Sequence, residues 1–376
     1  MILKNKEEVQ LHFKQLQDAI GKENIPVFFQ EPILEKQTKY KTSFSVNIDL
    51  KADKKLIIPI LKKYGFILED NKIIYVGEIP AKIIIENNLT LEEYLNDFQA
   101  ILYLNKKKGM TSFDVVNEIS NIFGFKRVGH TGTLDPLAEG VLLVTINKAT
   151  KIGELLTAED KEYIAEVELG YETDTYDSTG TITKEKEVPK TINLEQTLNS
   201  FKKTYLQEVP IYSAIKVNGK KLYEYARKNE SVELPKKEVT IKEISLLNKK
   251  ENSFTFKALV TKGCYIRSLI RDIGLELNTY ATMTGLTRTK QGKVDISNTN
   301  TLEEIKNNQF KYYKIEEVLD YPIINIPEEL LKMISNGMKI PNNWHIEDKV
   351  IFTHNQKLIG IYQVQDNYLK VWKNFN

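Results

Sequence analysis

The chain has 376 residues, 41% hydrophobic and 28% charged, with a formal net charge of +2. That length predicts two or three ordinary globular domains. The single Cys264 excludes an intrachain disulfide, and four scattered histidines leave no spacing that a zinc site prefers. No apolar run reaches about 18 residues, so no helical membrane span is expected. The opening Met1-Ile2-Leu3-Lys4-Asn5 lacks the apolar stretch of a secretory signal, and a reducing cytoplasm is the expected setting.

Residues 1–98 read as a small α/β appendage. Val9, Leu11, Phe13, Leu16 and Ile20 give a helical stripe, and Phe44, Val46, Ile48 and Leu50 alternate as in a strand. A helix over 56–64 and a strand over 72–76, entered by an Asp70-Asn71 turn, complete it. From 99 to about 318, strands and helices mix without a regular βαβ repeat, which predicts an α+β core. There Ser112 is placed to cap a helix with stripe Val115, Val116, Ile119, Ile122 and Phe123, stopped by Gly124. Val141 to Ile146 reads as a buried strand, and the alternation of Tyr163, Ala165, Val167 and Leu169 as a half-buried one. A strand at 254–260 precedes a helix whose face is Ile266, Leu269, Ile270, Ile273 and Leu277. Residues 319–376 predict an extended stretch, a short helix at 328–335 and three strands, at 349–353, 358–363 and 368–372, as in a small β-barrel-like domain.

A net charge near zero is no signature of a nucleic-acid partner. The basic residues are nevertheless grouped mid-chain: Lys106-Lys107-Lys108, Lys126-Arg127, Lys220-Lys221, Arg227-Lys228, Arg267, Arg271, Arg288, Lys290 and Lys293. Clusters confined to one region favour an anionic surface partner.

The most unusual stretch is Gly129-His130-Thr131-Gly132-Thr133-Leu134-Asp135-Pro136-Leu137-Ala138-Glu139-Gly140. Three glycines, two threonines and a proline predict a structured loop between a helix and a buried strand. Asp135 before Pro136 suits a helix N-cap and N1 as well as it suits a nucleophile. The lysine and spacing of a phosphate-binding Walker loop are missing, and Ser112, His130 and Asp135 lack the Gly-x-Ser-x-Gly elbow of a hydrolase triad. Asp174 and Asp177, three apart in a Thr/Ser/Gly-rich segment, read as turn-capping residues rather than a glycosidase pair.

Lys106-x-x-Gly109-Met110-Thr111-Ser112 followed by the 129–138 stretch resembles the TruB family of tRNA pseudouridine synthases. Further matching stretches follow in order: Lys161-Glu162-Tyr163, Thr173-Asp174-Thr175-Tyr176-Asp177, 212–219, 222–227, 262–270 and Leu286-x-Arg288. The resemblance spans roughly 102–310 and, weakly, a tail similar to the family's PUA-like domain. It departs from the family pattern at Lys107, Cys264 and Thr287, and residues 1–98 have no counterpart in that pattern.

What the resemblance implies is an isomerase that converts uridine to pseudouridine at position 55 of the tRNA T-loop. It implies no cofactor, no metal and no membrane, and a monomer that needs no protein partner beside the tRNA T-arm. Asp135 would be the nucleophile, attacking at C1′ or at the base, and Arg267 would keep it ionised and aimed. Tyr163 would stack on the uracil and exchange protons near C5, and Leu286 would wall the pocket. His130 would fill the space left by a flipped base. Lys106 and Tyr212 would support the loop and pocket, with Lys216, Arg227 and Arg288 on the RNA. Two other readings keep the scaffold: a non-catalytic tRNA-binding or folding module, and an enzyme directed to ribosomal RNA.

Overall fold

The computed structural model describes residues 6–30, 33–38, 41–50 and 53–375. The opening residues 1–5, read above for the absence of a secretory signal, lie outside the described residues.

A nine-stranded mixed sheet organises the middle of the chain. Its strands run in the order Thr204–Glu208, Lys236–Lys249, Ser253–Val260, Lys161–Leu169, Ala281–Gln291, Glu139–Asn147 and Gln99–Lys106, with Val294–Asp295 and Val128–Thr131 paired at its side. Neighbours are antiparallel except where Ala281–Gln291 meets Glu139–Asn147 in parallel, at Thr287 with Glu139 and Arg288 with Gly140. The register sets Lys106 opposite Gly140, Gly140 beside Arg288, and Arg288 opposite Tyr163. Three expected site residues thus share one row across four strands. The alternation of Lys161–Leu169 is realised: Tyr163, Ala165, Val167 and Leu169 are buried.

The helix Ser112–Phe123 buries Val115, Val116, Ile119 and Phe123 and ends on Gly124 in the left-handed conformation, as expected. Its cap is Thr111, not Ser112. Thr111 forms a capping box with Asp114, which frees Ser112 to bond elsewhere.

The N-terminal module carries the helix Lys6–Lys22 and a sheet ordered Val27–Phe29, Lys41–Leu50, Lys72–Tyr75, Phe66–Glu69, with Ile33–Thr38 also paired to Lys41–Leu50. Phe13, Leu16 and Ile20 are buried as the stripe requires, but Leu11 is largely exposed on the opposite face. The side chain of Phe44 lies outside the described residues. Strands 27–29, 33–38 and 66–69 were not expected, because short edge strands carry too few alternations to register.

Two further helices, Glu78–Glu86 and Leu91–Asn96, do not pack with that module alone. Ile83, Ile84, Tyr94 and Phe98 join the central-sheet cluster that contains Leu104, Phe123 and Phe125, and Tyr94 Oη donates to the Phe123 carbonyl at 2.8 Å. The boundary expected at 98 falls inside this cluster. The C-terminal strands form a five-stranded sheet, Ile323–Asn325, Lys349–His354, Lys357–Gln365, Tyr368–Asn374, Ile340–Pro341, covered by the helix Glu328–Ser335. Ile351, Leu358, Ile361 and Phe375 from this sheet pack against Ile101, Tyr103, Val141 and Leu143 of the central one. No helix among the described residues is long and apolar enough to cross a membrane.

Candidate active site

The 129–140 segment is not wholly loop. Val128–Thr131 is a strand, with His130 opposite Val144 and Thr131 opposite Leu143. The irregular part is 132–138, between two strands rather than between a helix and a strand. No helix follows Asp135 either. Its carbonyl accepts from the Ala138 N–H at 3.0 Å, closing a turn with Pro136 in second position. The helix-cap account of Asp135 is therefore excluded by its own backbone.

The serine and glycine of the upstream motif fix this turn from both sides. Ser112 Oγ bonds the backbone of Leu134 twice, accepting from its N–H at 2.9 Å and donating to its carbonyl at 3.1 Å. The Gly109 N–H donates to the Pro136 carbonyl at 2.7 Å. Residues immediately before and after Asp135 are thus tied to the start of the helix Ser112–Phe123 and to the turn that leads into it. Lys106 is buried and its Nζ donates to the carbonyls of Lys107 and Met110 at 3.1 and 2.7 Å, shaping the connecting loop. Burial pushes its amine down to about 8 against the pull of Asp135 and Glu139. The triad option falls here too, since the Ser112 hydroxyl is committed to Leu134.

Asp135 keeps 35% of its side-chain surface exposed, whereas Arg267 keeps 5%. Arg267 Nε meets Asp135 Oδ2 at 2.9 Å. Its Nη1 donates to the Thr175 carbonyl at 2.9 Å and its Nη2 to the Tyr212 carbonyl at 3.0 Å. All three nitrogens are in use, so the guanidinium can hold only one orientation toward the carboxylate. Arg267 comes from the first turn of the helix Ile266–Glu276, whose buried Leu269, Ile270 and Ile273 seat it against the sheet. The Tyr212 hydroxyl donates to Asp174 Oδ2 at 3.2 Å. Asp174 and Asp177 accept from the Thr181 and Thr179 N–H groups at 2.8 and 3.0 Å, the turn-holding role read from their spacing.

Tyr163 and Leu286 belong to the large apolar cluster that also holds Leu134, Leu137 and Ala138, the neighbours of Asp135 in the chain. His130 is half-buried. Burial, and then the nearby Arg288, push its pKa down, so its ring is neutral at physiological pH. Its Nδ1 is buried and has no hydrogen-bond partner among the described residues. Lys216 is exposed on a two-strand hairpin, Lys216–Val217 with Lys220–Lys221, turned by Asn218 and Gly219 at positive φ. Arg227 lies 5.2 Å over the Tyr223 ring at the base of that hairpin.

Arg288 is not where an RNA contact requires it. It is fully buried and donates from Nε to the Val141 carbonyl at 2.6 Å and from Nη2 to the Gly132 carbonyl at 3.0 Å. Phosphate contact needs solvent access, which this guanidinium lacks. Arg271 is likewise engaged, by Glu208 and by Asp272 at 2.7 Å. The departures at Lys107, Cys264 and Thr287 leave the ion pair untouched: Lys107 reaches Glu303, Cys264 faces Gln207, and Thr287 donates to Glu139. Sequence reading missed Gln291, whose Nε2 bonds Thr131 Oγ1 at 2.7 Å and the Leu156 carbonyl at 2.9 Å. A glutamine late in a strand carries no local signal of that task. Among the described residues, no group of His, Cys, Asp or Glu is placed to hold a metal.

Known proteins resemble this chain in sequence and in fold. Residues 120–266 match the model of the TruB family pseudouridylate synthase N-terminal domain, and residues 267–331 that of the tRNA pseudouridylate synthase B C-terminal domain. A tRNA pseudouridine synthase B of Fusobacterium nucleatum is 45% identical over 281 residues, covering 72% of this chain and 97% of the relative. That of Oceanobacillus iheyensis is 44% identical over 278 residues, covering 70% and 92%. A solved H/ACA RNP bound to a substrate RNA containing 2'-deoxyuridine shares the fold, with TM-score 0.56 at 21% identity over 77% of this chain and 88% of that one. The chain belongs to the TruB family and is a pseudouridine synthase, an isomerase.

Proposed function

We propose that this enzyme acts on tRNA in the cytoplasm, isomerising the uridine at position 55 of the T-loop with Asp135 as nucleophile. The observation that carries the reading is the Arg267–Asp135 contact at 2.9 Å, made by a guanidinium whose other nitrogens are already held. A carboxylate held this way is aimed by the guanidinium, yet remains exposed enough for a substrate to reach. Isomerisation breaks the N1–C1′ bond, turns the uracil over and rejoins it through C5, so the carboxylate can act on either the sugar or the base. A stacked base is out of reach of such a turn, and the nucleotide must flip out. The neutral ring of His130 suits the vacated space. Tyr163 and Leu286 wall the uracil, with the Tyr163 phenol as the proton-exchanging group. Lys106 and Tyr212 support the turn and the carbonyl that holds Arg267, and Lys216 and Arg227 meet the RNA backbone.

Relatives at 44–45% identity named for tRNA support a tRNA target over a ribosomal one. The H/ACA RNP shares only the fold, at 21% identity. Retention of Asp135, Tyr163 and Arg267 together, with Arg267 seated on Asp135, supports catalysis over a binding-only module. Incubating the purified chain with an isolated T-arm stem-loop should yield pseudouridine without another protein or RNA. Strict dependence on either would overturn the stand-alone reading.

Tyr163→Phe keeps the buried volume and removes the hydroxyl. Single-turnover conversion is expected to fall by about 10²-fold or more with little change in stem-loop affinity. An unchanged rate would remove the phenol from the mechanism. Binding itself should weaken at least about tenfold between roughly 50 and 200 mM salt, because phosphate neutralisation releases counterions. A flat titration would contradict contact through Lys216 and Arg227.

A further inference from the structure

We propose that Arg288 is a positioning residue: it clamps the two ends of the segment that carries Asp135 and sets them against the strand that carries Tyr163. The proposal rests on the reading of Asp135 and Tyr163 above and assigns Arg288 a task other than RNA contact.

Gly132 lies three residues before Asp135 and Val141 six after it. The Arg288 guanidinium donates to both of their carbonyls, at 3.0 and 2.6 Å, from a fully buried position. Among the described residues no carboxylate pairs with it, so its charge is directed wholly at backbone dipoles. A planar fork reaches two carbonyls at once, which a single ammonium cannot do with the same geometry. The backbone of Arg288 sits beside Gly140 on one strand and opposite Tyr163 on the other. One residue therefore touches both ends of the Asp135 segment through its side chain and the Tyr163 strand through its main chain.

The glycines of the motif are fitted to this clamp. Gly140 has φ +102°, and a Cβ there would stand 2.9 Å from the Arg288 amide nitrogen. Gly132 has φ +86°, and a Cβ there would stand 3.3 Å from Arg288 Nη1 and 3.2 Å from Lys161 Cε. Both positions need glycine for conformation and for the approach of the same residue. Displacing a reacting group by about 1 Å is enough to lose about 10²-fold in rate. A clamp on the Asp135 segment thus acts on the chemical step rather than on RNA affinity.

The test measures stem-loop affinity and single-turnover conversion separately for Arg288→Met and Arg288→Lys, with circular dichroism to verify folding. The expected result is conversion about 10²-fold slower for the methionine variant, partial recovery with lysine, and affinity within about threefold of wild type. A folded methionine variant that converts at the wild-type rate overturns the proposal. So does one that loses affinity with its rate unchanged at saturation, which would return Arg288 to RNA contact. If the methionine variant does not fold, Gly132→Ala disturbs the same clamp while keeping the charge; it should show the same split, and a normal rate overturns the idea. Absence of pseudouridine from the wild-type protein would instead count against the proposed function.

Discussion

Replacing Asp135 by asparagine is expected to reduce pseudouridine formation by about 10⁴-fold or more while the protein still binds its RNA. Asparagine has nearly the same shape and can still accept from Arg267 Nε, but it offers no anionic nucleophile. The fold should survive the change. Stripping the partner from a fully buried ion pair costs on the order of 3–5 kcal/mol. The cost here is lower, because Asp135 is 35% exposed and Arg267 keeps the Thr175 and Tyr212 carbonyls. Ser112 and Gly109 continue to hold the backbone on either side of the substituted residue. Conversion of a labelled stem-loop, read beside its binding isotherm, checks the prediction. Substantial product from the variant would mean that Asp135 is not the nucleophile. Loss of binding together with activity would mean that its main work is to seat the RNA.

How much of this was legible in advance differs by type of feature. Long periodic elements were: the helix Ser112–Phe123, the strand Lys161–Leu169 and the helix Ile266–Glu276 carry patterns that burial then realises. Asp135 was ambiguous, because Asp-Pro begins a helix as readily as it begins a turn, and only the Ala138 to Asp135 hydrogen bond separates the two. Ser112 was assigned the helix cap because serine and threonine compete for it; with Thr111 in that place, Ser112 is free to bond Leu134. Family resemblance and the grouping of basic residues mid-chain put Arg288 on the RNA, at the surface. Its burial follows from the parallel junction of two strands that lie nearly 150 residues apart, and no local pattern encodes that. The meeting of Arg267 with Asp135 is of the same kind: a contact between distant segments, implied by family resemblance and never by spacing.

Deleting residues 1–98 is expected to cost most or all of the fold, whereas the boundary drawn from sequence treats that segment as separable. The helices Glu78–Glu86 and Leu91–Asn96 bury Ile83, Ile84 and Tyr94, and Phe98 follows, all within the cluster of the central sheet. Phe98 stacks on Phe125 with centroids 5.8 Å apart, and Tyr94 both packs on Phe125 and caps the end of the helix Ser112–Phe123 through the Phe123 carbonyl. At roughly 1.5–3 kcal/mol for each large apolar side chain, these four contribute about 6–12 kcal/mol. That is comparable to the whole stability of a typical domain, about 5–15 kcal/mol. Removing them also bares Phe125 and Leu104 to water, an apolar surface that favours aggregation. The loss reaches the site through the helix Ser112–Phe123, whose first turn holds Leu134 beside Asp135. A cut after residue 76 spares both helices and gives up chiefly the separate cluster around Leu16, Ile57 and Phe66. Thermal unfolding of the two truncations should therefore diverge, with 77–376 folded and active and 99–376 aggregated or melting far below it. Equal melting temperatures and equal conversion rates for the two would show that the central sheet is self-sufficient and that the helices only decorate it.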